Sequence, residues 1–278
     1  MAGGSGEPGR TVTSKVLAIL AAFESGQRSL SLTDLAATAG LPLSTTHRLA
    51  AELEEWGAIS RDANDRYQVG LRLWELAQNA GRALRDTVRP YLQDLYALTG
   101  ETSHLAIRDG MDVLYIDRIY GLRRVPRASR VGGRLPMHAT AVGKVILAHE
   151  TPEVREAYLR RPLESRTPRT VTDPKLLRLE LDRIRKLGFA ITIDEVRAGS
   201  CSVAVPVFHT GRIGAGVGLV MQTATASQLT AHVPTLRNVS ERIERATTPI
   251  PLESLLRSGM DVGAAARTKP SASSPSPE

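Results

Sequence analysis

Four polar side chains, Ser44, Thr45, His47 and Arg48, have the composition and spacing of a helix that reads DNA. Hydroxyl groups near a helix N-terminus can meet phosphates and base edges, and the helix dipole adds to this attraction. Arg48 is long enough for a bidentate contact with guanine in the major groove. These residue types therefore predict direct contact with double-stranded DNA.

Three short helices must position this cluster. Ser14 is the expected cap of the first helix. Ser31, with Asp34 three residues later, has the spacing of a capping box at the start of the second helix. The third helix carries the cluster, and its apolar face is expected to pack into a core: Leu49, Leu53 and Trp56.

A hairpin is predicted after the third helix, with its turn at residues 62–65. Helix, tight turn, helix and hairpin in this order are typical of a winged helix-turn-helix domain. Arg61 and Arg66 flank the turn, and we expect them to contact backbone phosphates. The alternative interpretation of residues 14–70 is a three-helix bundle with a polar surface.

The distribution of charge does not match the predicted position of the DNA-binding site. Residues 1–85 carry 9 basic and 9 acidic side chains, whereas residues 86–250 carry 24 and 17, which accounts for the net charge of +7. Charge alone would place a nucleic-acid site in the C-terminal part. A neutral N-terminal domain argues against a non-specific, nucleoid-type DNA binder.

Composition limits the class of protein. With 278 residues and 42% hydrophobic content, the chain can bury two cores. Its single cysteine, Cys201, excludes an intrachain disulfide framework and a multi-cysteine zinc site. The N-terminus has no apolar signal core and no run is long enough to span a membrane, so we expect a cytoplasmic protein.

The C-terminal part alternates short strands and helices. Asp109-Gly110, between two apolar runs, predicts a hairpin. Residues 71–99 are expected to be helical, with Pro90 at a break or in the first turn of a second helix. Strands at both ends with helices between them predict an α+β fold with an antiparallel sheet. The expected strands cover residues 104–108, 113–118, 189–194, 202–207 and 212–221, and the expected helices cover 139–149, 152–160, 174–187 and 226–246.

Enzyme signatures are absent from the sequence. Gly143-Lys144 does not complete a phosphate-binding loop, because His138 occupies the position of the first glycine. No nucleophile elbow or zinc-protease motif is present, and the C-terminal histidines lack ligand spacing. We therefore expect no catalytic residue, no metal site and no cofactor, and we interpret Cys201 as a packing residue.

Five stretches carry a family resemblance in a fixed order. They are SLSLTDLAATAGLPLSTTHRLAAELEEWGAISRDANDRYQVG, GETSHLAIRDGMDVLYIDRI, RLPMHATAVGKVILA, TPRTVTDP and GFAITIDEVRAGSCSVAVPV. Together they resemble the IclR family of bacterial transcriptional regulators, over about residues 11–247. The resemblance implies a winged helix-turn-helix, a connecting helix and a GAF-like α+β effector domain. It also implies a dimer, or a dimer of dimers, on a palindromic operator.

Domain boundaries follow from the resemblance, and the Gly-rich start and the Ala-, Ser- and Pro-rich tail predict disordered ends. We expect a disordered N-terminus over 1–10, the DNA-binding domain over 11–70 and the connecting helix over 71–87. The effector-binding domain is expected over 88–250, followed by a mostly disordered tail over 251–278.

An effector cavity is implied by the same resemblance. Members that sense small acids tend to have an acidic residue where Thr192 stands, often cysteine where Ser202 stands, and serines in place of Gly218 and Val220. These departures predict a roomy cavity for an apolar or aromatic effector rather than for glyoxylate or pyruvate. The implied lining residues are Met137, Ala139, Thr140, Ala141, Gly143, Thr192, Ser202, Gly218 and Val220.

The sequence thus predicts a DNA-binding transcriptional regulator controlled by a small-molecule effector. The alternative is a small-molecule enzyme with an accessory DNA-binding domain. The arginine-rich stretch over 118–134 is open to three interpretations besides a solvated loop, namely an anionic partner, the DNA backbone and a subunit contact. Repression or activation depends on where the operator lies relative to a promoter, which the chain does not encode.

Overall fold

The computed structural model describes residues 10–77, 81–121, 125 and 130–251. Nearly all of the two predicted disordered ends, and Arg123, Arg124 and Arg127 of the arginine-rich stretch, lie outside the described residues. The chain divides into two compact units, Met1–Ala80 and Gly81–Glu278. No helix in the described part of the chain is both long and apolar enough to cross a bilayer.

The first unit is a helical core with a short hairpin. Its elements are α1 (Val12–Ala22), α2 (Leu32–Ala39), α3 (Leu43–Trp56), β1 (Ile59–Arg61), β2 (Tyr67–Val69) and α4 (Leu71–Ala77). Ile19, Leu35 and Leu49 from the first three helices are fully buried in one cluster. The antiparallel pairing of β1 with β2 confirms the predicted hairpin.

Local capping sets the helix boundaries in this unit. Ser31 and Asp34 form the predicted capping box, in which each side chain accepts a hydrogen bond from the other residue's backbone N–H. Gly40 ends α2 at φ +63°, a left-handed conformation that glycine adopts without a Cβ clash. Thr11, and not Ser14, caps α1, because its Oγ1 accepts the Ser14 N–H.

Trp56 does not occupy the core position that the apolar spacing predicts. It is 43% exposed, and the Arg72 guanidinium lies 4.4 Å from its ring centroid. Trp56 is the last residue of α3, where the helix already reaches the edge of the unit. The ring is therefore covered by an arginine side chain rather than by the core.

The second unit contains one six-stranded sheet with helices on both faces. Its elements are α5 (Arg82–Thr99), β3 (Thr102–Asp109), β4 (Asp112–Ile119), β5 (Arg134–Pro136), α6 (Ala141–His149), α7 (Pro152–Leu159), α8 (Pro174–Leu187), β6 (Ala190–Ile193), β7 (Ser200–His209), β8 (Arg212–Gln222) and α9 (Val233–Thr247). The strand order is β5-β4-β3-β8-β7-β6, and every neighbouring pair is antiparallel. This arrangement confirms the predicted α+β class.

Alternating residues of the strands build two separate cores. Leu105 of β3 packs with α5 and α9 on one face of the sheet, whereas its neighbour Ala106 packs with α6 and α8 on the other. The same alternation holds for Val203 and Ala204 of β7. The second of these faces, between the sheet and α6, contains the candidate effector cavity.

The helical region between the units differs from the single connecting helix expected over 71–87. α4 is described over Leu71–Ala77, and α5 begins after Gly81, which has a left-handed backbone conformation, and continues through Pro90 to Thr99. A boundary between residues 87 and 88 would cut α5 next to Val88, which is fully buried against the sheet. A fragment that isolates the second unit should therefore begin at Gly81.

Candidate functional site

The outer face of α3 carries the predicted DNA-reading side chains. Ser44, His47 and Arg48 are exposed, Thr45 is half-buried and Thr46 is fully buried. Thr46 Oγ1 donates a 3.1 Å hydrogen bond to the Pro42 carbonyl. The hydroxyl group of Thr46 is therefore used within the first turn of the helix. The exposed positions share one surface of the helix, opposite the buried Leu49.

The N-terminus of α3 is free of a side-chain cap. Pro42 precedes the helix, and the first backbone hydrogen bond runs from Thr46 N–H to the Pro42 carbonyl at 2.9 Å. The backbone N–H groups of 43–45 are consequently left at the positive end of the helix dipole. Such an end suits a phosphate group.

Arg48 and Glu52 form an exposed ion pair on α3. Their closest nitrogen and oxygen atoms are 2.6 Å apart, and both side chains are about 60% exposed. Exposed pairs at this spacing contribute little stability. The pair therefore leaves Arg48 available to exchange Glu52 for a base edge.

Arg61 of the hairpin makes three intramolecular hydrogen bonds. It donates to Glu54 at 3.2 Å, to Asp65 at 2.6 Å and to the Tyr67 hydroxyl at 2.9 Å. These contacts attach the hairpin to the end of α3. Any phosphate contact of Arg61 has to compete with two carboxylates.

Arg66 has a similar structural role immediately before the second strand. Its Nη2 donates to the Ser29 carbonyl at 3.1 Å and lies 3.4 Å from Asp34. Arg66 thereby holds the hairpin against the start of α2. The sequence predicted that both arginines contact backbone phosphates. The structure places both at the hairpin, and the phosphate contacts stay a prediction.

A cavity of about 450 Å³, including its opening, lies between the sheet and the N-terminus of α6. Strand residues of β4, β3, β8, β7 and β6 contribute to its wall, as does the loop after β6. Its lining combines apolar with charged groups. The lining residues are His104, Tyr115, Arg118, Leu135, Thr140, Ala141, Val142, Thr192, Glu195, Val196, Ser200, Ser202 and Val220.

The cavity brings together five of the nine effector-binding residues that the resemblance implied. These are Thr140, Ala141, Thr192, Ser202 and Val220. Register explains the grouping on the strands, because Thr192 pairs with Ser202 and Ser202 pairs with Val220 across β6, β7 and β8. The other four, Met137, Ala139, Gly143 and Gly218, lie outside the lining.

Gly218 is a packing residue rather than a source of cavity volume. A Cβ on it would lie 2.7 Å from the Val203 carbonyl and 3.3 Å from His104 Nε2. Gly143 is similarly constrained, since a Cβ there would lie 2.4 Å from the Met137 carbonyl. Larger side chains at either position would disturb backbone packing instead of filling the cavity.

The sequence did not place three polar residues of the lining, His104, Arg118 and Glu195, in the cavity. His104 and Arg118 face each other across β3 and β4, and both are at least 95% buried. Glu195 follows β6 and is 8% exposed. Period-two alternation could have placed His104 on one face of its strand, but only the strand register brings Arg118 beside it. The cavity is consequently more polar than the sequence predicted.

His104 is held in its neutral form. Burial, assisted by the positive charge of Arg118, lowers the pKa of His104 to about 3. Its ring packs edge-on against Tyr115 with centroids 5.3 Å apart, and its buried Nδ1 has no hydrogen-bond partner among the described residues. A neutral imidazole in the wall can therefore donate a hydrogen bond to a ligand or accept one from it.

This shift predicts how stability depends on pH. The unfolded chain protonates His104 near pH 6.5 and the folded chain near pH 3, so acidification through that window favours unfolding. We expect denaturant unfolding to show a smaller loss of stability between pH 7 and pH 5 in His104→Asn than in the wild type. His138 and His149, whose pKa values are also lowered by burial, remain in both proteins as a common background. Parallel curves for the two proteins would contradict the assignment.

The N-terminus of α6 forms part of the cavity wall. Thr140 caps this helix, because its Oγ1 accepts the Gly143 N–H at 3.0 Å. Ala141 and Val142, the first two residues of α6, line the cavity. Their N–H groups belong to the helix end that has no intrahelical acceptors, so this part of the wall favours an anion.

Lys144, one turn further along α6, is fully buried between two carboxylates. Its Nζ donates to Glu180 at 2.7 and 2.9 Å and to Glu195 at 2.9 and 2.8 Å. Glu180 lies on α8, so the ion cluster ties α6, α8 and the loop after β6 together. Only Glu195 of this cluster lines the cavity.

The remaining polar groups singled out in the sequence have structural roles. His138 is hydrogen-bonded to the Tyr158 hydroxyl at 2.8 Å and to the Glu164 carbonyl at 2.9 Å, and His149 to the Val145 carbonyl at 2.9 Å. Burial raises the pKa of the Cys201 thiol to about 11, which makes it unreactive. Within the described ranges, no group of three or more His, Cys, Asp or Glu side chains is arranged to hold a metal ion.

Family models match both units. A model described as the IclR helix-turn-helix domain matches residues 12–63, and one described as the bacterial transcriptional regulator IclR C-terminal matches residues 79–245. The chain is 34% identical to the HTH-type transcriptional regulator XynR of Escherichia coli, over 84% of this chain and 92% of that one. It is 31% identical to the HTH-type transcriptional regulator KipR of Bacillus subtilis, over 69% and 78%.

Solved structures show the same fold. An IclR homolog of Microbacterium hydrocarbonoxydans complexed with 4-hydroxybenzoate aligns with a TM-score of 0.78 at 31% identity, over 85% of this chain and 98% of that one. The IclR of Thermotoga maritima aligns with a TM-score of 0.69 at 32% identity, over 84% and 97%. Both alignments span the two units described above.

Proposed function

Since the chain belongs to the IclR family of bacterial transcriptional regulators, we propose that an aromatic carboxylate in its cavity controls how tightly two copies bind a palindromic operator. The family assignment supplies a helix-turn-helix DNA-binding domain and a C-terminal effector-binding domain. The proposal adds the residues that read DNA, the chemical class of effector and the oligomer.

DNA readout is assigned to the exposed face of α3. Ser44, Thr45 and His47 surround the uncapped helix start, where phosphate and base-edge contacts meet. Arg48 is assigned to a guanine. Arg61 and Arg66 position the hairpin and add to the positive potential beside the backbone. These assignments explain how a domain without net charge can bind a specific DNA sequence.

The observation that carries the effector proposal is the pairing of Arg118 with His104 in a wall that also contains apolar and hydroxyl-bearing side chains. A buried guanidinium supplies the counter-charge that a carboxylate needs when it leaves water. His104 and the first N–H groups of α6 add hydrogen-bond donors. Tyr115, Leu135 and the other apolar lining residues suit an aromatic ring. The 4-hydroxybenzoate bound to the M. hydrocarbonoxydans homolog belongs to the same ligand class.

We infer that the cavity binds its ligand without turning it over. The relatives named above are transcriptional regulators. In the part of the chain that the structure describes, His104 Nδ1 lacks the carboxylate or carbonyl partner that orients a catalytic base. The enzyme alternative predicts product formation, which incubation of the chain with a bound aromatic acid would reveal.

Operator binding in the presence of benzoates tests the proposed function. We expect 4-hydroxybenzoate to change the affinity of the full chain for its operator about 5- to 150-fold, the range typical of allosteric coupling. Arg118→Gln should abolish the response and leave operator affinity without ligand unchanged. Arg134→Gln is the matched control, because Arg134 belongs to the same arginine-rich stretch but pairs with Asp109 outside the lining. An unaltered response in Arg118→Gln would contradict the assignment.

A dimer is supported by apolar surface on the first unit. Leu71, Trp74 and Leu76 of α4 are 46–77% exposed, and Val12 and Leu17 of α1 are about 60% exposed. Two half-sites of a palindrome need two copies of α3, so a second copy of this chain is the proposed occupant of these surfaces.

Trp74→Glu should convert the dimer to a monomer, since it places a charge within the proposed interface. We expect light scattering to show half the wild-type mass, and binding to a full palindrome to fall to the level of a single half-site. Leu176→Glu is the control, because Leu176 is 58% exposed on α8, in the second unit. A Trp74→Glu protein that stays dimeric would place the interface elsewhere.

A further inference from the structure

Glu195 is the one carboxylate in the wall of the cavity, as far as the structure describes the chain. Its two oxygens accept hydrogen bonds from the buried Lys144 ammonium at 2.8 and 2.9 Å. Glu180 makes the same paired contact with that ammonium from α8 but does not line the cavity. Two carboxylates therefore share one cation, and only one of them faces the ligand space.

This cluster has more acceptors than donors. An ammonium has three N–H groups, whereas the two carboxylates offer four oxygens with about two acceptor positions each. Burial raises the pKa of Glu195, and the Lys144 charge opposes that shift. With both carboxylates ionised, the cluster carries one net negative charge and has unused acceptor positions at the cavity wall.

The loop that carries Glu195 is held in place by its backbone. Thr170 Oγ1 donates to the Glu195 carbonyl at 2.6 Å, and Thr167 Oγ1 donates to the Asp194 carbonyl at 2.6 Å. Asp194 in turn accepts hydrogen bonds from Thr223 Oγ1 at 2.6 Å and from the Gly199 N–H at 2.8 Å. The carboxylate is thus fixed before a ligand arrives.

Arg118 and Glu195 lie at opposite ends of the cavity. Arg118 is on β4 and Glu195 follows β6, with β3, β8 and β7 between those two strands. Both side chains line the same cavity, Arg118 from the β4 side of the sheet and Glu195 from the β6 side. The cavity therefore has a cationic end and an anionic end.

We propose that Glu195 selects effectors that carry a hydrogen-bond donor, a hydroxyl or an amino group, at the end remote from their carboxylate. This inference rests on the proposed binding of an aromatic carboxylate at Arg118. Neutralising Lys144 does not require Glu195, because Glu180 already supplies one full negative charge. A ligand donor satisfies the acceptor positions that the ammonium leaves unused. A ligand without a donor leaves those remaining acceptor positions unfilled in a buried site and binds less tightly.

Three para-substituted benzoates that differ in the donor test this role on the full chain by calorimetry. 4-Hydroxybenzoate and 4-aminobenzoate carry a donor, whereas 4-fluorobenzoate has a substituent of similar size without one. We expect the wild type to bind both donor compounds at least tenfold more tightly than 4-fluorobenzoate. In Glu195→Gln this preference should fall at least fivefold, since a neutral amide loses the charge-assisted part of the hydrogen bond.

Glu180→Gln is the matched control, because it removes the other carboxylate from the same lysine and should keep the wild-type preference. Glu195→Met, which removes the acceptor altogether, should bind all three compounds within about threefold of one another. In either variant at 195 Lys144 retains one carboxylate partner. Thermal melting and operator binding verify that each protein is folded.

The possible failures are distinguishable. If all proteins bind the three benzoates but Glu195→Gln and Glu195→Met keep the donor preference, the role of Glu195 is refuted and the proposed effector class stands. An equal loss of preference in Glu180→Gln would also refute it, since the cluster would then act as a unit. If the wild type binds none of the three while it still binds operator, the effector class fails together with this inference.

Discussion

Replacing Lys144 with methionine should lower the free energy of unfolding of the second unit by about 3–5 kcal/mol, the cost typical of removing one partner from a buried ion pair. Lys144 is 0% exposed, and both of its partners would be left without their cation. Circular dichroism during urea unfolding would follow this loss. The first unit provides an internal reference, because both tryptophans of the chain, Trp56 and Trp74, belong to it. Their fluorescence transition should not move.

Arg178→Met is the control for this substitution. Arg178 lies on α8 and pairs with Glu156 on the surface, so its loss should leave stability almost unchanged. Neutralising both carboxylates in K144M E180Q E195Q should recover part of the loss, because no uncompensated charge then remains buried. If K144M behaved like Arg178→Met, the cluster would contribute no stability.

The second large effect concerns operator readout. Arg48→Ala should weaken specific operator binding by about 1–3 kcal/mol, roughly 5- to 150-fold, since a bidentate arginine–guanine contact is lost. Binding to unrelated DNA should change far less. Titrations of both DNAs at one fixed salt concentration measure the two quantities. Equal losses of affinity for the operator and for unrelated DNA would identify Arg48 as a phosphate contact.

Glu52→Ala separates readout from helix stability. It removes the same exposed ion pair as Arg48→Ala, so both variants should have the same small effect on unfolding. Glu52→Ala keeps the guanidinium and removes a carboxylate that competes with the base, so operator binding should be maintained or become tighter. Weakened binding in Glu52→Ala would attribute the effect to the helix itself.

Short-range rules predicted most of the first unit. The predicted Ser31–Asp34 capping box depends on residues within one helical turn. The hairpin between β1 and β2 also depends on a few neighbouring residues. Local sequence is sufficient where the interaction that forms an element is itself local.

Tertiary packing overrode local signals in two elements. Pro90 was expected at a break or in a first turn, yet α5 continues through it. The opposite face of α5 buries Leu84, Val88, Leu92 and Leu95 against the sheet, and Pro90 lies on the exposed side. Burial of the apolar face outweighs the loss of one backbone hydrogen bond. Trp56 shows the opposite case. The apolar spacing along α3 predicts a core position for it, but the core ends before this residue.

The sequence by itself determined the family and the α+β class. It also predicted the exposed polar face of α3 and five residues that line one cavity in the structure, among them Thr140 and Thr192. Each of these follows from local spacing or from the order of the family motifs along the chain. Only the tertiary structure placed His104, Arg118 and Glu195 in the same wall and moved Gly218 out of it. The physical reason is strand register together with helix packing, which brings together side chains as far apart in the chain as His104 and Val220. The charged groups of the cavity wall, on which the proposed effector class rests, were therefore brought together by contacts that no local pattern encodes.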